Sequence, residues 1–496
     1  MKKALISIAL IGLSALNFQA LSQPGIVSEV DFYKNDTGFN ALIRTVSSDK
    51  SLIYYEDFNG ENYFLYSQNN TAGTTCRFTW PNHSITNLYK FEIHDMAIEK
   101  FTCYFCGSCT SNPGTNPVTT GLVGCIDLSN AIYNPCAIAT VTFYLCTIPN
   151  TKVFSKMDKH FDNPRRISQL CMVGESTNAS APSCAAFVEW DHSSFKWSYR
   201  VVESQDPNET MTDIAFSGLG TKVVAVARYA NEPYKFGLRG EYTSTLFDFA
   251  LLPTLTNFTH RNTVNTYGLY LASSSNPHPT WHENDIVAQI ICHPNSEEFT
   301  VAYECVDNTK VCETQRQVAL FRIDVSTFPW NYNMNVTGKQ MVHGYFDEGS
   351  TFTDMMYIPD NKTIALLHRS GNDRMSAAIQ FPSWLNYGQI STLLSDATMH
   401  SSMDIREYNN IRYLTLVGTN PVGKKIGFFR QKLSSLEISC YQTRPASHSE
   451  ELIEDDWATY QGIRIINDNN HKIKNGYSGG GDSFDAPWVE TCKSFE

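Results

Sequence analysis

Three features of the sequence point to an all-β protein built from repeats. Aromatic residues make up 12% of the chain and charged residues only 18%, and the apolar segments are rich in Val, Ile, Thr, Tyr and Phe, which fit a pleated, half-buried surface. Those segments are short and bounded by turn-forming stretches. One pattern also recurs: an Asp leading a short apolar strand, a turn, a second strand of β-branched and aromatic residues, a variable polar loop, and a third strand.

In chain order, the first element is not structural. Lys2 and Lys3 form a positive n-region, Ala4 to Leu16 are mostly apolar, and Ala20-Leu21-Ser22 places small residues where a signal peptidase reads. Residues 1–22 are therefore expected to be a cleavable signal peptide. The protein is expected to be exported: secreted, periplasmic or at the cell surface. The apolar run is shorter than the roughly 20 residues a membrane span needs, and no later window of that length lacks charges, so the mature chain is expected to have no transmembrane segment.

Five units carry the full pattern. They begin at Asp95, Asp213, Asp285, Asp354 and Asp404, and continue through second strands such as Thr102 to Gly107, Val223 to Arg228, Phe299 to Tyr303, Thr363 to Leu367 and Tyr413 to Gly418. The third strands read as Gly121 to Asp127, Thr245 to Phe249, Val318 to Asp324, Ala377 to Phe381 and Ile426 to Phe429. Two weaker units lack the Asp: Phe39 to Tyr66, and Arg166 to Met172 with Cys184 to Trp190. The last four leading aspartates lie 72, 69 and 50 residues apart, intervals that suit a four-stranded antiparallel blade with one long loop. The expected architecture is a β-propeller of seven blades over residues 23–444, or six if the opening unit is not one. Ile26 to Phe32 is placed to complete the last blade. A pair of β-sandwiches is the competing architecture. Residues 445–496, with the acidic run Glu450 to Asp456 and Gly479-Gly480-Gly481, read as a partly irregular C-terminal tail.

The segment Asp95 to Asp127, with Tyr104-Phe105-Cys106-Gly107 and Gly121-Leu122-Val123-Gly124-Cys125-Ile126-Asp127, resembles a motif in uncharacterised exported propeller-like proteins of anaerobic gut bacteria. There the second strand often ends Tyr-Phe-Cys-Gly and the third carries an aromatic pair where Cys125 and Ile126 stand here. The specific match covers about 35 residues. It implies export and a propeller, and carries no active-site residues with it.

Net charge is −12 with no Arg/Lys cluster, which excludes the electrostatic footprint of a nucleic-acid binder. The 14 cysteines, in an exported chain, read as disulfides; Cys171 with Cys184, Cys305 with Cys312, and Cys440 with Cys492 are the expected pairs. Cys103, Cys106 and Cys109 have a spacing at which thiolates can converge on a metal, but export favours disulfides, and no metal is expected. The leading aspartates should form a partial ring at one mouth of a central channel. Their oxygens would suit calcium or general acid–base work, or would cap adjacent turns through backbone amides; capping is the preferred reading, with no resident cofactor.

Gly476-Tyr477-Ser478-Gly479-Gly480 satisfies the nucleophile-elbow pattern but has no His after it, so it reads as a loop. Eight N-x-S/T sequons occur, among them Asn178 and Asn208. Eight Trp residues, Trp190 and Trp197 included, are spread over the units; most should pack between blades, while any exposed at loops would stack on sugars or anchor a protein partner. The expected function is a monomeric exported scaffold that binds a glycan or a protein through its variable loops. The alternative is a carbohydrate-active hydrolase or lyase using the aspartates as catalytic carboxylates.

Overall fold

The computed structural model describes the strands between residues 29 and 433 and a minority of their connections, mainly within 149–229 and at 293–297, with three further strands after them; side chains are described mainly between residues 88 and 326. The signal segment, Asp285, Cys312, the acidic run and the Gly476 to Gly480 stretch lie outside the described residues.

Among the described residues, seven four-stranded antiparallel sheets follow one another, six of them consecutive meanders. After β1 (Glu29–Thr37) come β2 (Phe39–Ser47), β3 (Lys50–Glu56), β4 (Asn62–Gln68) and β5 (Thr75–Phe78), which form one sheet. The next holds β6 (Leu88–Glu99), β7 (Thr102–Ser111), β8 (Val118–Asp127) and β9 (Phe143–Ile148). Then follow β10 (Thr151–Asp162), β11 (Ile167–Ser176), β12 (Ser183–Asp191) and β13 (Lys196–Glu203), and β14 (Glu209–Phe216), β15 (Lys222–Tyr229), β16 (Lys235–Tyr242) and β17 (His260–Asn265). Two more meanders are β18 (Ala288–Cys292), β19 (Glu298–Asp307), β20 (Gln315–Asp324), β21 (Asn335–Phe346), and β22 (Thr351–Ile358), β23 (Thr363–Arg369), β24 (Met375–Gln380), β25 (Tyr387–Thr392). The seventh sheet joins β26 (Met399–Tyr408), β27 (Ile411–Thr419) and β28 (Lys425–Leu433) to the amino-terminal β1, which pairs antiparallel with β28.

The first strands of successive meanders touch in order, from β2 beside β6 through to β22 beside β26, and β26 in turn touches β2. Apolar clusters fill the spaces between adjoining sheets. Cys103, Phe105 and Cys109 of β7 pack toward the sheet of β2 to β5, whereas Tyr104 and Cys106 pack toward that of β10 to β13. A strand covered on both faces needs no polar alternation, which is why the second strands read as continuous apolar runs.

Two sequence expectations are corrected by these strands. Thr245 to Phe249 is not a third strand; β16 takes that place, and Thr243–Leu246 is a short helical turn. Gly237 and Gly240 weaken the strand pattern of β16, and a Cβ at Gly237 would meet the Tyr229 hydroxyl, which accepts from Arg239, at 2.7 Å. Arg200 holds the helical turn by donating from Nη1 to the Thr245 carbonyl at 2.9 Å and from Nη2 to that of Asp248. The unit at Arg166 also has a leading aspartate after all: Asp158 on β10, hidden in the sequence among Lys156, Lys159 and His160. Beyond the seven sheets, β29 (Cys440–Thr443) pairs with β31 (Val489–Cys492), which also pairs with β30 (Lys472–Lys474), in a three-stranded sheet.

Candidate functional site

The leading aspartates act between sheets. Asp95 accepts at Oδ1 from its neighbour Met96 N (2.8 Å) and at Oδ2 from Met157 N on β10 (3.0 Å). Asp158 on β10 accepts from Phe216 N on β14 (2.8 Å). Asp213 on β14 accepts from Ile214 N and from Ile290 N on β18, both at 2.8 Å. Each carboxylate thus bonds the first strand of one sheet to the first strand of the next. Asp404 is buried on β26 opposite Thr415, and Asp354 lies on β22 opposite Leu367. Burial pushes the Asp213 carboxyl up to about 7, against the opposing pull of Lys156 and the two amides, and raises Asp158 as well. The opening unit has Arg44 instead. Its guanidinium donates to Asp95 Oδ1 (2.8 Å) and the Met96 carbonyl (2.5 Å) on one side and to Ser402 Oγ on β26 (2.9 Å) on the other.

The cysteines divide differently from the expectation. Cys171 faces Phe187 across the ladder and Gly174 faces Cys184, so the two sulfurs sit on opposite faces of the sheet and both are free thiols. That pair is therefore not a disulfide. Cys103, Cys106 and Cys109 are likewise free and buried, with Cys106 directed away from the other two by strand alternation, so they do not converge on an ion. Burial raises the thiol of each. No group of three ligating side chains fit for a metal occurs among the described residues. Cys305 lies on β19 opposite Gln317, and Cys440 faces Cys492 directly in the β29–β31 ladder.

A cleft of about 340 Å³ opens between the sheet of β6 to β9 and that of β10 to β13, at the end carrying the β6–β7, β10–β11 and β12–β13 turns. Its walls are aromatic. The Tyr144 ring stacks on Phe195 (centroids 5.4 Å apart, planes at 21°) and lies 5.0 Å from Trp190, which rests on Trp197 at 4.5 Å. Phe101 and Phe195, 48% and 58% exposed, stand at its rim and Phe161 also lines it. The polar groups are few. Tyr104 Oη donates to Ser168 Oγ at 2.6 Å, and His192 Nε2 lies 3.0 Å from the former and 2.9 Å from the latter. Glu99, Asp127 and Arg166 also line it. Burial raises the Tyr104 phenol, so it stays protonated and donates.

Turn chemistry presents this wall. Asp191 accepts at Oδ1 from Ser193 N (2.8 Å) and Ser193 Oγ (2.6 Å) and at Oδ2 from Ser194 Oγ (2.7 Å), which holds its carboxyl far below the usual range, while Phe195 N closes the turn on the Asp191 carbonyl at 2.8 Å. Phe195 consequently sits at φ 54, and Arg166 in the β10–β11 turn at φ 55. The other described non-glycine residues with positive φ are Asn150 and Asn295, a type that tolerates the left-handed region. Both strained residues other than Asn thus line one cleft.

Of the residues singled out in the sequence, Trp190 belongs to this cleft and the aspartates do not line it. Tyr144, Phe195 and His192 carry no repeat signature, and Arg166 was legible only as the start of a weak repeat unit. The legible hint was Asp191-His192-Ser193-Ser194, an Asx-turn sequence between aromatic residues.

No family model and no curated protein matches this chain. Solved structures similar to it include the polysaccharide lyase Uly1, at 10% identity and TM-score 0.44 over 81% of this chain and 90% of that one. The BP39L lectin from Burkholderia pseudomallei is 9% identical, with TM-score 0.46 over 79% and 96%. The GH93 alpha-L-arabinofuranosidase of Fusarium graminearum, solved with arabinobiose, is 9% identical, with TM-score 0.37 over 84% and 99%.

Proposed function

We propose that the chain is an exported seven-bladed propeller, closed by β1, that binds a saccharide in the cleft between its second and third blades. The succession of seven four-stranded sheets, with β26 returning to β2, supports the propeller. Export rests on the amino-terminal sequence, and free thiols do not oppose it, since a thiol buried among apolar side chains is inert to oxidants.

The observation that carries the saccharide reading is the exposed Phe195, held at positive φ and stacked on Tyr144 at the cleft mouth. Strained residues cluster where a ligand is held. A sugar offers an apolar C–H face for such rings and hydroxyls for groups such as Asp127, His192 and Arg166. The volume falls at the small end of the roughly 300–1,000 Å³ range of ligand clefts, which suits a small glycan better than a protein surface.

Oligosaccharide titration followed by tryptophan fluorescence tests this. Binding to the wild-type protein should be lost in Tyr144→Ala and weakened in Phe195→Ala, with both variants folded. Wild-type protein that binds no saccharide, or variants that bind unchanged, would sink the reading.

A second reading has one observation in its favour. His192 stands within hydrogen-bond reach of two hydroxyls, those of Tyr104 and Ser168, an arrangement able to move a proton. A carbohydrate-active enzyme would work from these groups. Asp95, Asp158 and Asp213 are spent on backbone amides and are poor candidates for that work. Release of shortened products from a bound oligosaccharide, abolished by His192→Ala, would mark the enzyme.

A further inference from the structure

Arg166 is the cleft residue that the fold does not use. It is exposed, it lines the cleft, and it makes no hydrogen bond or ion pair with any described residue. The acidic groups beside it are engaged elsewhere: Glu99 with Lys159 in the neighbouring strand, and Asp127 with the Ser129 amide at 2.9 Å. Its backbone lies at φ 55, a region that a residue bearing a Cβ rarely adopts. Arg has no short polar side chain to offset that strain locally, as Asn150 and Asn295 do at two of the other such positions. The turn therefore places a strained, unpaired guanidinium on a wall of aromatic rings.

A guanidinium presents a planar fork of N–H donors that matches a carboxylate or sulfate oxygen pair, and it gains most where water is partly excluded. The cleft supplies both the partial exclusion and the stacking surface for a ring. Deepening the saccharide reading above, and resting on it, we propose that the ligand is an anionic saccharide whose carboxylate or sulfate is taken by Arg166 while its ring lies on Tyr144 and Phe195. Asp127 then serves the ring hydroxyls, and its own charge disfavours anions bound in any other orientation.

Titration calorimetry on the folded full chain tests this with three probes of equal length: a uronic-acid tetrasaccharide, a sulfated tetrasaccharide and a neutral tetrasaccharide. The wild-type protein is expected to bind one anionic probe at least about tenfold more tightly than the neutral one at low salt. Whichever anionic probe binds better identifies the acidic group. Arg166→Met should cost the anionic probe at least about tenfold more than it costs the neutral one, and Arg166→Lys should keep part of the preference. Equal affinity for all three probes in the wild type, or a preference that survives Arg166→Met, overturns the assignment. Neutral binding that is lost in Tyr144→Ala without any anionic preference leaves the saccharide reading standing and removes the role of Arg166. A folded protein that binds none of the probes removes both.

Discussion

Asp213 shows what a single buried carboxyl does here. Its folded-state value of about 7 lies well above the ordinary Asp value near 4. Between those limits the folded chain keeps a proton that the unfolded chain has released, so stability falls as pH rises from about 4 to about 7. Asp158, raised by burial too, acts in the same sense. Denaturant melts across that window should show a loss of a few kcal/mol, and Asp213→Asn, which still accepts one of the two amide bonds, should flatten the slope at a constant cost of about 1–3 kcal/mol. A flat wild-type profile would contradict the assignment. The thiols give a second residue-scale expectation. The eight cysteines described as free, six of them fully buried in the side-chain core and all with thiols raised or shielded by their surroundings, should resist a thiol reagent in the native protein. All eight should titrate in denaturant without reductant. Fewer than eight under those conditions would restore disulfides among them.

At the scale of elements, the recurring device is a bulge faced by a glycine. The first strand is irregular between Ile93 and Asp95, between Phe154 and Lys156, and between His400 and Ser402, and the residues opposite are Gly107, Gly174 and Gly418. A Cβ on Gly107 would lie 1.8 Å from the Glu92 carbonyl oxygen, and one on Gly174 1.9 Å from that of Val153. The glycine that ends Tyr104-Phe105-Cys106-Gly107 is therefore there for backbone clearance. Gly174→Ala is expected to cost about 1–3 kcal/mol in urea unfolding; an unchanged midpoint would mean that the bulge relaxes freely. This device explains how much of the fold was legible. The second strands announced themselves because they are apolar on both faces, and the aspartates because each stands just ahead of a short apolar run in the first strand. Asp158 escaped notice because charged neighbours mask its strand, and β16 because two glycines interrupt it. The cleft was illegible for another reason: its rings come from turns and strand ends of two sheets, and no local spacing records that Tyr144 meets Phe195.

At the scale of the whole molecule, the first sheet is tied to both of its neighbours through Arg44, which bonds Asp95 and Ser402 with side chains 12% and 7% exposed at the ion pair. Arg44→Met leaves Asp95 without its cation and is expected to cost about 3–5 kcal/mol, read as a lower thermal midpoint. Deleting residues 23–37 removes β1 and bares the edge of β28, so that variant should aggregate or unfold below the parent; a soluble variant of equal stability would show that closure contributes little.

The tie between Arg44 and Ser402 also sets a timetable. The two residues are 358 positions apart, and at about 5–20 residues per second of synthesis the later one follows the earlier by roughly 20–70 s. Through that interval β1 has no β28 to pair with, and β2 stands with one flank open. The nascent chain thus carries two sticky surfaces for most of its birth, and its yield in a cell should depend on whatever shelters them until the last sheet emerges.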